Sequence, residues 1–200
     1  MSKIVSIDFF SSDALELSKK LLGKIIARKI NGKILRFRIV EVEAYLGLND
    51  EACHSHKKNR QRSKSLPMYN RGGFSYVYLI YGIYHCFNVV AAPKGDPQSV
   101  LIRAVEPLDK EFELKTNGPG NLCKALGINI NLNNVDMIKS EEIWIENSDT
   151  ADEDVIISSK RVNVGNSEDS HKFLRFYIYS NKFVSKIDKK REKYFLSNII

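Results

Sequence analysis

The 200-residue sequence has no apolar run near the ~18 residues that a bilayer span requires. Its first residues, MSKIVSIDFFSSD, lack the long apolar core of a secretory signal. A cytoplasmic protein is therefore expected, nucleoid-associated if bacterial, with no membrane partner. Cysteine is scarce: Cys53, Cys86 and Cys123 lie far apart, with no CxxC pair. That odd, dispersed set argues against a disulfide framework and fits packing residues in a reducing compartment. No internal repeat, low-complexity linker or glycine-rich phosphate loop occurs. Structural zinc favours closed sets of Cys and His. With four histidines and no CxxC or HxxxH spacing, no metal or other cofactor is expected.

What is present is an ordinary folded composition, 43% hydrophobic, in enough chain for one sizeable core. A single domain over residues 1–200 is expected. Net charge is +7, which suggests a polyanionic partner, nucleic acid first, with a membrane surface or ribosome as rivals. The excess is uneven. Segment 57–71, KKNRQRSKSLPMYNR, has six cationic residues and no acid, while 141–154, EEIWIENSDTADED, is acidic. The basic KIDKKREK of the C-terminal tail reads as a solvated face.

Local signals outline the elements. DALELSKKLLG (13–23) has a capping Asp13, apolar residues at helical spacing and a closing Gly23. Two strands then flank Asn31–Gly32, a strong short hairpin signal. The aromatic and β-branched block 76–92 is split by Gly82, predicting a second hairpin with its turn near Tyr81–Gly82. SVLIRAVEPL (99–108) reads as a strand ended by Pro107, and 117–129 as a short helix between Pro119 and Gly127. Further strands are expected at 143–145, 154–162 and 172–180. Hairpins outnumber helices, so the expected fold is mixed α/β (α+β): a compact domain on an antiparallel sheet.

The densest chemistry lies in EVEAYLGLNDEACHSH, 41–56, which holds four carboxylates, a tyrosine and two histidines. Strict alternation would put Leu35, Phe37, Ile39, Glu41, Glu43 and Tyr45 on one face. Glu41 and Glu43 would then sit about 7 Å apart, either facing solvent or lining a pocket continuous with the core. A partly desolvated carboxylate beside Tyr45 could activate water, although spacing alone favours a solvent-facing edge. Tyr76, Tyr78, Tyr81 and Tyr84 crowd one hairpin, where strand tyrosines usually pack. Tyr81, at the tip, has little core to join and could serve as a wedge or stacking platform for nucleic acid. A water-activating carboxylate, stacking aromatics, a tip wedge and positive charge together suit chemistry on an extruded base.

EVEAYLGLNDEACHS, YVYLIYGIYHCFNVV, VLIRAVEPL, NGPGNLCKALGI and LRFYIYSNKFVS, in this order, closely resemble the alkyladenine (3-methyladenine) DNA glycosylase family. The resemblance runs from about Phe9 to Ser185, leaving a basic tail at 186–200. It implies a curved antiparallel sheet, flanking helices and a protruding β-hairpin that enters the DNA minor groove. It also implies that Glu43 activates the attacking water and that Arg103 helps hold that water. Tyr45, His54 and Tyr78 would line the base pocket. Asn88 would disfavour guanine, and Tyr81 would fill the gap left by the flipped nucleotide. The implied partner is duplex DNA containing damaged purines, met by a monomer. The implied reaction is hydrolysis of the N-glycosidic bond without a lyase step, since no lysine occupies the Glu43 position. NRQRSKSLPMY departs from the family's Thr-x-Arg-Asn element and is slightly longer. The rival reading is a non-catalytic damaged-DNA-binding module, against which Glu43 itself argues: a carboxylate facing DNA repels phosphate.

Overall fold

In the computed structural model, which describes residues 4–58, 62–148 and 154–197, the local signals appear where their chemistry places them. The Asp13 carboxylate accepts from the Glu16 N–H at 2.8 Å and caps helix α1 (Ala14–Leu21). Gly23 follows at φ 79°, a conformation open to glycine at little cost. Strands β1 (Ile25–Ile30) and β2 (Lys33–Tyr45) are joined by Asn31 and Gly32 at φ 49° and 78°, the two left-handed residues of a tight hairpin turn.

The other strands are β3 (Ser75–Ile80), β4 (Tyr84–Ala91), β5 (Gln98–Pro107), β6 (Ile143–Glu146), β7 (Ile156–Ser159) and β8 (Arg175–Ile178). All pair antiparallel in one curled sheet ordered β3-β4-β5-β2-β1-β6. Strand β2 is long enough to serve twice on its second edge: its first half pairs with β1, its second half with β8, which carries β7. Helices α1 and α2 (Pro119–Ala125) pack on the sheet, and α3 (Lys189–Leu196) forms within the basic tail with no buried residue. No described helix is long and apolar enough to cross a membrane.

One expectation fails in an instructive way. Leu35 through Tyr45 do not share a face, because the β2–β5 register slips twice: Ile39 faces Val105, Glu41 faces Ala104, and Val42 faces Ile102. Val40 and Arg103 are each skipped. Such a bulge inverts which residues point to which side. Phe37 and Ile39 enter the main core before it, and Val42 and Ala44 after it. Glu43 and Tyr45 are thereby turned to the opposite face.

The acidic 141–154 segment also gains an account, its residues 149–153 lying outside those described. Three of its described acids are counterions for the arginines of the first hairpin. Glu146 takes a two-pronged contact from Arg36, at 2.9 and 3.2 Å, and accepts from Trp144 Nε1 at 2.9 Å. Glu142 lies 3.7 Å from Arg28, and Asp154 pairs with Arg38.

Candidate active site

Beyond the bulge the sheet has two working faces. Val42, Ala44, Val77, Phe87, Val89, Val100 and Ile102 point into the main core beneath the helices. The residues alternating with them floor a cleft of about 550 Å³ on the other side. Glu43 and Tyr45 come from β2, Arg103 from β5, Asn88 and Cys86 from β4, and Tyr76 and Tyr78 from β3. His54 from the loop after β2 and Tyr81 from the hairpin tip complete the wall. All seven residues singled out in the sequence, Glu43, Tyr45, His54, Tyr78, Tyr81, Asn88 and Arg103, line this one cleft.

Glu43 is wholly buried and held from three sides. Its Oε1 accepts from the Val162 N–H at 2.7 Å and lies 3.2 Å from Arg103 Nη1, while Oε2 accepts from the Tyr45 hydroxyl at 3.0 Å. An ionised carboxylate has about four lone-pair positions. Two hydrogen bonds, with the Arg103 guanidinium alongside, leave acceptor capacity for a further proton. Burial raises the Glu43 pKa above its ordinary value, against the pull of Arg103, the Val162 N–H and Tyr45. Burial, then Glu43 itself, pushes the Tyr45 phenol well up, so it remains a donor.

In the aromatic wall His54 meets both Tyr76 and Tyr78 edge-on, and the two tyrosines are tilted to each other at 36°. The His54 and Tyr78 ring centroids lie 4.5 Å apart at 70°, and Tyr76 lies 5.3 Å from Tyr78. Tyr76 and His54 share a hydrogen bond, Tyr76 Oη to His54 Nδ1, at 2.8 Å. Crowding lowers the His54 pKa, and Lys64 lowers it further. Asn88 donates to the Tyr76 carbonyl at 3.0 Å, which fixes its amide and aims its other functional atom elsewhere. The divergent loop 57–71 contributes through Met68, which packs with Cys53, Tyr76 and Val90 in a small second core under the wall. Residues 59–61 of that loop lie outside those described.

The hairpin tip stands apart from this order. Tyr81 is 76% exposed at φ 53°, followed by Gly82 at φ 72° and an exposed Ile83. Holding a tyrosine in the left-handed region costs about 1–2 kcal/mol. Tyr84, below the tip, lies against Gly120 at the start of α2, where a Cβ would stand 2.9 Å from the Tyr84 ring. That close approach draws Gly118–Asn121 to the cleft rim.

Sequence reasoning missed two supports. Arg161, from the segment after β7, makes a bidentate pair with Asp50 at 2.6 and 2.8 Å, donates to the Ala44 carbonyl, and lies 4.8 Å from the Tyr45 ring. Val162, next to it, supplies the backbone donor to Glu43. Neither has a motif; a buried partner for Asp50 was the only hint available. Of the other carboxylates in 41–56, Glu41 and Asp50 are buried and ion-paired, while Glu51 is exposed. The three cysteines are free and buried, as expected, although Cys53 and Cys86 also line the cleft.

Known proteins share this sequence over most of its length. Residues 8–182 match the family described as methylpurine-DNA glycosylase (MPG). A protein of Borreliella afzelii provisionally named a 3-methyladenine DNA glycosylase is 46% identical over 183 residues, covering 89% of this chain and 97% of its own. Similarly named proteins of Natranaerobius thermophilus and Clostridium perfringens are 41% and 40% identical, each over about nine-tenths of this chain.

Proposed function

The chain belongs to the methylpurine-DNA glycosylase family, and from that premise we propose that it excises alkylated or deaminated purines from duplex DNA by hydrolysis, acting as a monomer. The observation that carries the reading is Glu43: a buried carboxylate with acceptor capacity to spare, at the floor of an aromatic cleft beside an exposed tyrosine tip. A base inside the duplex cannot reach that floor, so the target nucleotide is extruded into the cleft. Tyr78 and His54 stack on it, and Asn88 meets its edge. Tyr81 fills the vacated space.

A purine methylated at N3 or N7 is cationic, which strengthens stacking against electron-rich rings and improves its departure. As the glycosidic bond lengthens, positive charge develops on the sugar, as in other glycosyl transfers. The Glu43 carboxylate faces that charge and takes the proton of the attacking water. Arg103 keeps the carboxylate aimed. Water supplies the oxygen to the sugar carbon, the bonding pair leaves with the purine, and the products are a free base and an abasic site. No amine attacks the sugar, so no strand-cleaving lyase step follows.

Two measurements check this reading. The first is the pH dependence of single-turnover release of a cationic purine, which needs no acid on the leaving group. Glu43 works only when ionised, and its pKa is raised above the ordinary 4.5. The rate therefore reaches its plateau above that raised value and falls tenfold per unit below it. An acid limb at or below the ordinary carboxylate range contradicts a buried base. The second is Tyr81→Ala, expected to weaken lesion-duplex binding about 10- to 100-fold, the equivalent of one lost base–aromatic stack. Unchanged affinity and excision would remove Tyr81 from the flipping step.

A further inference from the structure

We propose that Glu41 is a positioning residue for the reaction, holding Arg103 and Arg175 behind Glu43 and so setting how Arg103 meets the base. This rests on the reading of Glu43 as the water-activating group. Glu41 lies two residues before it, between the two register slips of the bulge, and is as fully buried. Its Oε1 accepts from Arg103 Nε at 3.0 Å and from Arg175 Nη1 at 2.9 Å, and its Oε2 accepts from the Ser185 N–H at 2.6 Å.

Arg103 is thus a fork with one tine on each glutamate: Nε on Glu41 and Nη1 on Glu43. The skipped register at Arg103 is what lets one side chain reach both. Arg175 sits across the strand from Glu43 but spends its donors on Glu41 and on the carbonyls of Lys160 and Lys186. Two glutamates and two arginines therefore close a buried, charge-balanced set in which Glu43 and Arg103 line the cleft while Glu41 and Arg175 lie behind them. Loss of the Glu41 charge would leave Arg103 to pair with Glu43 alone, drawing in a carboxylate that has to accept a proton. Around Glu43 the other charged or titratable groups are Tyr45 on its own strand, Tyr78 on β3, Cys86 on β4 and Arg161 after β7. Glu41 adds to the upward push on Glu43 and Arg103 opposes it, so both changes act in the same direction when Glu41 is neutralised.

The test is Glu41→Gln in single-turnover release from a duplex carrying one 7-methylguanine, over a full pH profile and alongside lesion-duplex affinity. The expected result is a plateau rate about 10- to 100-fold lower, the scale of a misplaced reacting group. Affinity should be unchanged and the acid limb displaced to lower pH. Glu41→Asp, which keeps the charge and loses reach, should hold the acid limb and recover part of the plateau. A folded Glu41→Gln with wild-type plateau and acid limb overturns the proposal. If that variant does not fold, Glu41→Gln with Arg175→Gln restores charge balance; a displaced acid limb supports the proposal and an undisplaced one overturns it. Excision surviving in Glu43→Gln would instead remove the reading on which this one rests.

Discussion

Glu43→Gln should bind lesion-containing duplex as tightly as the wild type while releasing the base about 10²- to 10⁴-fold more slowly, the range for loss of a general base. The substitution is nearly isosteric. Its carbonyl oxygen can still accept from Val162 N–H or Tyr45, and what fixes this position is two hydrogen bonds and the Arg103 ion pair. What it cannot do is take a proton or offset a growing positive charge. Removing a carboxylate from a surface that meets phosphate should, if anything, tighten binding. Single-turnover release with matched binding isotherms separates the two effects. Weak binding with normal release would refute the assignment. Loss of both would point to a folding defect, which a thermal melt resolves.

Asp50→Ala should be the most destabilising single change near the site. Its carboxylate holds both Nη atoms of Arg161 and accepts from the Leu46 and Ala52 N–H groups at 3.0 and 3.1 Å. Both partners are buried, with side-chain exposures of 0% for Arg161 and 2% for Asp50. Truncation leaves a buried guanidinium without its counter-charge, a loss of about 3–5 kcal/mol. For a chain of this size that is a fall in Tm on the order of 10 °C. Arg161 also lies against the Tyr45 ring and precedes the residue that donates to Glu43. Excision should therefore fall together with stability. A melt within 2–3 °C of wild type, near the effect of a change of about 1 kcal/mol, would mean the pair contributes little.

The elements bounded by local chemistry were legible in the sequence: the Asp13 cap, the Asn31–Gly32 turn and the Tyr81–Gly82 tip all depend on residues adjacent in the chain. The bulge was not. Whether Val40 and Arg103 are skipped is decided by pairing between strands sixty residues apart, and alternation along β2 alone cannot register it. Its consequence is large, since it separates Phe37 and Ile39 from Glu43 and Tyr45 and makes the far side of the sheet a cleft. Tyr81 stood out by its place at the hairpin tip, whereas the other candidate residues came from the family motifs rather than from spacing, which left Glu43 looking like an edge-strand carboxylate. Arg161, Val162 and Arg175 stayed hidden because their roles are contacts with partners more than one hundred residues away. The acidic 141–154 stretch looked functionless for the same reason: its counterions lie on the first hairpin.

The most direct test of the account is single-turnover reaction of the wild-type protein with duplexes carrying one 3-methyladenine, 7-methylguanine, hypoxanthine or ethenoadenine, following free base and strand integrity in the same samples. The account predicts release of free base from at least one of them, with the strand intact until alkali opens the abasic site. No release from any of them by a folded protein that binds the duplex would contradict it and leave a damage-binding module. Strand cleavage in step with base release would contradict hydrolysis by Glu43-activated water.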